Sequence, residues 1–164
     1  MAMNHMVHVP CGSEGQRKER SREADVEYRT SIEIDAPPEA VWAVLADVER
    51  WPEWTTSMQH VEFVEGAGLK RGAKVRIKQP RLPVTEWEVI EVEPNRLFTW
   101  QARTGGMTSV GDHRLSMTSP DRTTAELSIR QTGPLAPIIG LFTAGLVRRY
   151  VHLEADGLKR RSES

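Results

Sequence analysis

Of the five histidines in this 164-residue sequence, His113 is the one placed to do acid–base chemistry from within a folded core. It lies in Thr108 to Thr118, a run of alternating character in which Leu115 and Met117 share its period-2 positions. An imidazole titrates near neutrality and can be tuned by burial or by a carboxylate, so it suits general acid–base work. The structural alternative is a buried histidine held by a backbone or hydroxyl partner. Tyr150, at helical spacing from Leu146 and Phe142, offers a phenol that can hydrogen-bond a ligand carbonyl or simply pack with its hydroxyl at an edge. Asp112 adjoins His113, but neighbours on a strand point to opposite faces and do not make a dyad. His60 opens a strand-like run, His152 falls on the polar side of a helical pattern, and His5 and His8 lie in a segment without fixed geometry. The chain has no GxSxG, phosphate loop, dinucleotide fingerprint, HExxH or CxxC. With one cysteine, Cys11, an internal disulfide and a thiolate metal cluster are excluded. No metal site and no cofactor are expected.

The bulk properties describe the surroundings of such a site. Hydrophobic residues at 38% and charged residues at 27% describe a single globular domain at the polar end of the range. A net charge of −1 gives no overall pull toward nucleic acid or an anionic surface, and the basic stretches at Lys70 to Lys78 and Lys159 to Arg161 read as solvated faces. No stretch approaches the roughly 18 apolar residues of a membrane span, and Met1 to Pro10 lacks the apolar centre of a signal peptide. The cytoplasm is the default compartment. Residues 1–25 show no hydrophobic period and are dominated over Ser13 to Glu27 by Glu, Arg, Lys and Ser, the composition of a disordered tail. The domain is expected to run from residue 26 to 164.

The elements that position the site follow from periodicity. Ile32 and Ile34 alternate with polar residues as a strand, and Ala36-Pro37-Pro38 stops it. Val41, Leu45 and Val48 form a short helical face, broken by Pro52 between Trp51 and Trp54. Six strand-like runs follow, Gln59 to Glu65, Ala73 to Gln79, Val84 to Val92, Arg96 to Arg103, Thr108 to Thr118 and Thr123 to Gln131, joined by Gly, Pro and Asn links short enough for an antiparallel meander. From Pro134 the period becomes helical, with Leu135, Ile138, Ile139, Phe142, Leu146, Tyr150, Leu153 and Gly157 as its apolar face. A helix from Pro134 to Arg161 would be about 40 Å long and must lie across the whole sheet. The fold class is therefore α+β: a curved antiparallel sheet of about seven strands around a long C-terminal helix, with two short helices after the first strand. Small residues on that helix, Gly140, Ala144 and Gly145, leave room for a cavity between helix and sheet.

Hairpin arithmetic assigns the lining. A two-residue turn at Gly105-Gly106 sets Trp100 opposite Gly111, Phe98 opposite His113 and Ala102 opposite Ser109. An even-length turn at Pro94-Asn95 adds Trp87 and Val89 to the same face, whereas a one-residue bulge would reverse them. Val75 and Ile77 point inward, as do Ala125, Leu127 and Ile129 if the link at Pro120 has three residues. Met58 and Met107 are adaptable groups suited to an apolar ligand or to ordinary packing.

The pattern IxIxAPxExVWxVLxDVExWPEW over Ile32 to Trp54 resembles the polyketide cyclase/dehydrase-like proteins of the START, or Bet v 1-like (SRPBCC), superfamily. The resemblance continues through WEVIEVEP (Trp87 to Pro94), FTW (Phe98 to Trp100), Gly111-Asp112-His113 and RYVHLEADGLKRR (Arg149 to Arg161). It implies the helix-grip fold, a histidine in the strand of His113, and a Trp51-Pro52-x-Trp54 elbow at the cavity mouth. Three functions are compatible with it. The first is binding of a hydrophobic or amphipathic small molecule (lipid, polyketide, isoprenoid or aromatic) in the cavity, lined by Trp51, Trp54, Met58, Val75, Ile77, Trp87, Val89, Phe98, Trp100, Met107, His113, Leu115, Leu127, Ile139, Phe142, Leu146 and Tyr150. The second is a cyclase, aromatase or dehydratase-type enzyme with His113 and Tyr150 as proton-transfer groups. The third is a protein-interaction module of the co-chaperone kind, which needs an exposed apolar patch rather than a pocket. The expected partner is a small molecule, with no nucleic acid and no membrane insertion, for a monomer or homodimer.

Overall fold

The computed structural model describes residues 26–164, so the segment read as a tail, including Cys11, His5 and His8, lies outside the described residues. The strands are β1 (Val26–Ile34), β2 (His60–Glu65), β3 (Lys74–Lys78), β4 (Thr85–Glu93), β5 (Leu97–Thr104), β6 (Met107–Ser119) and β7 (Arg122–Thr132). They form one antiparallel sheet in the order β1-β7-β6-β5-β4-β3-β2. Helix α1 (Pro38–Ala46) and a 3-10 turn (Val48–Glu53) follow β1, and α2 (Ala136–Ser162) crosses the concave face of the sheet. The expected helix-grip architecture is present.

Local chemistry explains the joints. Pro37 and Pro38 start α1, where a missing N–H costs nothing. Gly105 and Gly106 both have positive φ, +52° and +82°, the requirement of the tight turn that matches strand twist. That turn fixes the register inferred from sequence: Trp100 opposite Gly111, Phe98 opposite His113 and Ala102 opposite Ser109. Gly111 is obligatory there, because a Cβ on it would stand 2.6 Å from the Trp100 indole nitrogen. On the other side of β5 the link is not even in length: Pro94, Asn95 and Arg96 make a three-residue turn, and the register shift between Val89 and Glu91 offsets it, so Val89 still pairs with Trp100. Trp87 and Val89 therefore stay buried on the inner face.

Two expectations need correction. Met117 is 69% exposed although it pairs in register with the fully buried Thr123; the β6–β7 register shifts only beyond that pair, before a two-residue link. The phase of α2 differs by about one residue from the apolar face read in sequence. The buried positions are Ala136, Gly140, Val147, Tyr150, Glu154, Ala155, Gly157 and Leu158, whereas Leu135, Ile138 and Phe142 point outward. Both faces of the first half of α2 are apolar, so periodicity could not choose between them; close packing does. A Cβ on Gly140 would lie 3.2 Å from Val26, and one on Gly157 would lie 2.5 Å from the Trp54 carbonyl, so these glycines bring the helix down onto β1 and onto the Trp elbow.

Candidate functional site: a cavity around a buried His–Glu pair

Between α2 and the sheet lies a cavity of about 270 Å³. Its deep end is formed by buried residues, Met58, Trp87, Trp100, Gly111, His113, Leu127 and Glu154. Toward the other end the lining becomes half-buried or exposed, at Gln79, Leu82, Pro83, Thr104, Met107, Ile139 and Thr143. The mouth therefore lies between the β3–β4 loop, the β5–β6 hairpin and the first half of α2.

His113 is 4% exposed and its ring stacks on Phe98 at 4.1 Å with an 11° interplanar angle. The edges of Trp51 and Trp100 close its flanks, each 5.4 Å away between ring centres. His113 Nε2 and Glu154 Oε1 are 2.7 Å apart. A carboxylate only accepts, so Nε2 carries the proton and donates to it. This partner fixes the ring orientation and leaves Nδ1, which has no hydrogen-bond partner although it is buried. Gln131, 5% exposed and four residues from His113's level on the facing strand pair, donates weakly from Nε2 to Ser109 Oγ at 3.4 Å and leaves Oε1 unpartnered. Ser109 and His113 share one face of β6, about 13 Å apart at normal strand rise. The cavity is thus lined, on a largely apolar wall, by two residues at separate depths that each hold a buried polar atom with no hydrogen-bond partner.

Of the residues expected around a ligand, Met58, Ile77, Trp87, Trp100, Met107, His113, Leu127, Ile139 and Tyr150 line the cavity. Val75, Val89, Phe98 and Leu115 are buried behind it as core. Phe142 is 82% exposed and Leu146 is half-buried off the lining, both consequences of the helix phase. Trp51 and Trp54 are not at the mouth. Trp51 is fully buried, donates from its indole nitrogen to the Leu45 carbonyl at 3.0 Å, and packs against Trp100 and His113 from behind. Trp54 sits under the second half of α2 against Gly157. The elbow is a backing for the deep end, because the helix reaches it only through a glycine. Tyr150 reaches the lining, but its hydroxyl donates to the Pro80 carbonyl and so ties α2 to the β3–β4 loop.

Sequence reasoning missed Glu154. The signal was available: Val147, Tyr150, Glu154 and Leu158 keep helical spacing, and an acid on an inward stripe must find a partner. The phase chosen for α2 concealed it. Among the described residues, no group of three His, Cys, Asp or Glu side chains is arranged to hold a metal ion, and no helix is long and apolar enough to cross a membrane.

Comparison with known proteins agrees with this geometry at the level of fold. The aromatase/cyclase Zhui from Streptomyces sp. R1128 superposes with a TM-score of 0.70 at 18% identity, over 85% of this chain and 94% of that one. A START superfamily protein from Mycobacterium smegmatis gives 0.69 at 16% identity, over 84% and 97%. Norcoclaurine synthase from Thalictrum flavum, solved with dopamine and hydroxybenzaldehyde, gives 0.63 at 14% identity, over 96% and 95%. No curated protein matches the sequence significantly. The sequence pattern described as "Polyketide cyclase / dehydrase and lipid transport" matches residues 25–163. With nearly the whole described domain inside that match and a helix-grip sheet closed over a cavity, the chain belongs to the polyketide cyclase/dehydrase and lipid transport family.

Proposed function

We propose that this chain binds a hydrophobic small molecule carrying polar groups, of the lipid, polyketide, isoprenoid or aromatic kind, in the cavity beneath α2. Membership in its family supports a hydrophobic ligand-binding or cyclase role. The observation that carries the reading is that His113 and Gln131, which line an otherwise mostly apolar cavity, each hold a buried atom without a protein partner, Nδ1 and Oε1. A buried polar group left unpaired costs about 1–3 kcal/mol, and a ligand hydroxyl at either atom would recover it. Trp87 and Trp100 in the lining make the test direct. Native mass spectrometry of protein from its own host should reveal a retained apolar molecule, and its titration into ligand-free protein should quench tryptophan fluorescence. Gln131→Leu should weaken that binding by about tenfold, one unpaired hydrogen bond's worth. Absence of a retained molecule together with no quenching by apolar hydroxylated compounds would sink the proposal.

The His113–Glu154 contact favours a second reading, an enzyme of the cyclase or dehydratase kind. Glu154 would orient the imidazole and stabilise its protonated form, while Nδ1 exchanges a proton with the bound molecule. Tyr150 would position the loop at Pro80 instead of shuttling protons. Unchanged affinity with lost turnover in Glu154→Gln would select this reading over simple binding.

A further inference from the structure

The cavity mouth has an unusual border. On the outward side of α2, Leu135, Ile138, Leu141 and Phe142 are 41, 59, 79 and 82% exposed, and across the mouth Val84 is 56% exposed. These are not scattered residues. Leu135, Ile138 and Phe142 lie along one side of the helix next to Ile139 and Thr143, which line the cavity. A Cβ on Gly106, in the β5–β6 turn, would lie 3.7 Å from Leu135, so the hairpin tip joins the same rim. Charge is segregated there too. The three segments around the mouth, 78–84, 103–108 and 131–149, contain Lys78, Arg81, Arg103, Arg148 and Arg149 and no Asp or Glu, in a chain whose net charge is −1. Lys78 is occupied by the Leu82 carbonyl, and Arg148 lies over the Tyr28 ring. Arg81 and Arg149 are exposed and make no ion pair among the described residues, while Arg103 and Glu86, the first acid beyond the β3–β4 loop, both lie on the outer face of the sheet.

We propose that this rim docks peripherally on an anionic lipid surface, with the mouth of the cavity turned toward the bilayer. Exposed Leu, Ile and Phe side chains lower into the boundary between headgroups and acyl chains, and arginines around them meet anionic headgroups. A second copy of the chain fits less well, because a symmetric contact through this face would bring the same arginines together. The docking places an apolar cavity where an apolar molecule can pass into it without crossing water.

The experiment is co-sedimentation of the full chain with phosphatidylcholine vesicles and with vesicles containing about one-third phosphatidylglycerol. Retention on the anionic vesicles that falls as salt is raised is expected, with little on the neutral ones. The double variant Leu141→Ser/Phe142→Ser should lose at least about tenfold in retention, and Arg81→Ser or Arg149→Ser about fivefold each, the usual contribution of one basic residue at such a surface. These residues are exposed, so the variants should fold and keep the tryptophan quenching of the cavity; a wild type that is retained on the anionic vesicles but shows no quenching counts against the ligand reading alone. No retention by the wild type, or equal retention by the variants, overturns the proposal. So does a wild-type dimer that Leu141→Ser/Phe142→Ser dissociates with no vesicle binding, which assigns the face to a second copy. Capture of an acidic protein through the same residues without vesicle binding overturns it as well.

Discussion

Replacing both members of the His113–Glu154 pair should be far less damaging than replacing either one. The two side chains are 4% and 8% exposed and in contact at 2.7 Å. His113→Leu leaves a carboxylate in the wall of an apolar cavity with no donor, which costs about 3–5 kcal/mol. Glu154→Leu leaves an imidazole with neither nitrogen partnered, a loss of about 1–3 kcal/mol. In His113→Leu/Glu154→Leu no charge and no orphaned donor remains, and apolar groups of similar volume stand against Phe98, Trp51 and Trp100, so the net change should stay within about 1 kcal/mol of wild type. The single losses sum to about 4 kcal/mol at least, which makes the coupling about 3 kcal/mol or more. Urea unfolding at neutral pH, followed by circular dichroism and by tryptophan fluorescence, measures all four corners of the cycle. The His113→Leu melting temperature should fall on the order of 10 °C. Additivity within about 0.5 kcal/mol would refute the reasoning, since it would mean that cavity water solvates each group independently. A stable double variant that no longer binds a ligand or turns one over would separate function from stability at this pair.

Gly111→Ala should destabilise by about 1–3 kcal/mol and shift the tryptophan emission, because Trp100 is hemmed in by Trp51, Trp87, Phe98 and His113 and cannot yield; an unchanged unfolding midpoint would contradict the close approach. Tyr150→Phe should raise amide exchange in the β3–β4 loop around Pro80 while costing about 1 kcal/mol overall, and exchange that is unchanged there would deny the tether. The Glu163 carboxyl is held below its ordinary value of 4.5 by the Asp35 backbone N–H and then by Lys159. A depressed carboxyl contributes stability above the ordinary glutamate value and loses it as pH falls through the lowered one. The last turn of α2 should therefore fray in acid before the domain unfolds, which the Asp35 amide resonance reports; a resonance that stays put until global unfolding would count against it.

Most of the fold was legible because it rests on local chemistry. The Gly105-Gly106 turn fixes one register, and that register places Phe98, Trp100, Gly111 and His113 together. The site was less legible because it depends on how α2 is rotated, and Leu135, Ile138, Leu141 and Phe142 give the helix a second apolar side facing outward. Hydrophobic period reports that a face is apolar, not what covers it. The choice is made by tertiary approach at Gly140 and Gly157, which no pattern within the helix encodes. Glu154 was lost with the phase, whereas the family resemblance sets the Trp51–Trp54 elbow at the mouth, and it becomes a backing because Gly157 lets the helix close onto Trp54.

The anchoring of α2 is unequal between its sides. Beyond Gly157, Lys159 donates to the Glu33 carbonyl and Glu163 accepts from Asp35, so that end is fastened to the strand–helix junction. From Gly157 back to Ala136 the axis runs about 30 Å, and on its β1 side the far end is seated too, with Gly140 against Val26 and Ala136 fully buried. On the mouth side the tie is the Tyr150 hydroxyl at Pro80. Room for a bulkier guest therefore comes from the β3–β4 loop swinging away from a fixed helix, while the His113–Glu154 pair keeps its place. Tolerance for guest size and constancy of the polar contact can then coexist in one chamber.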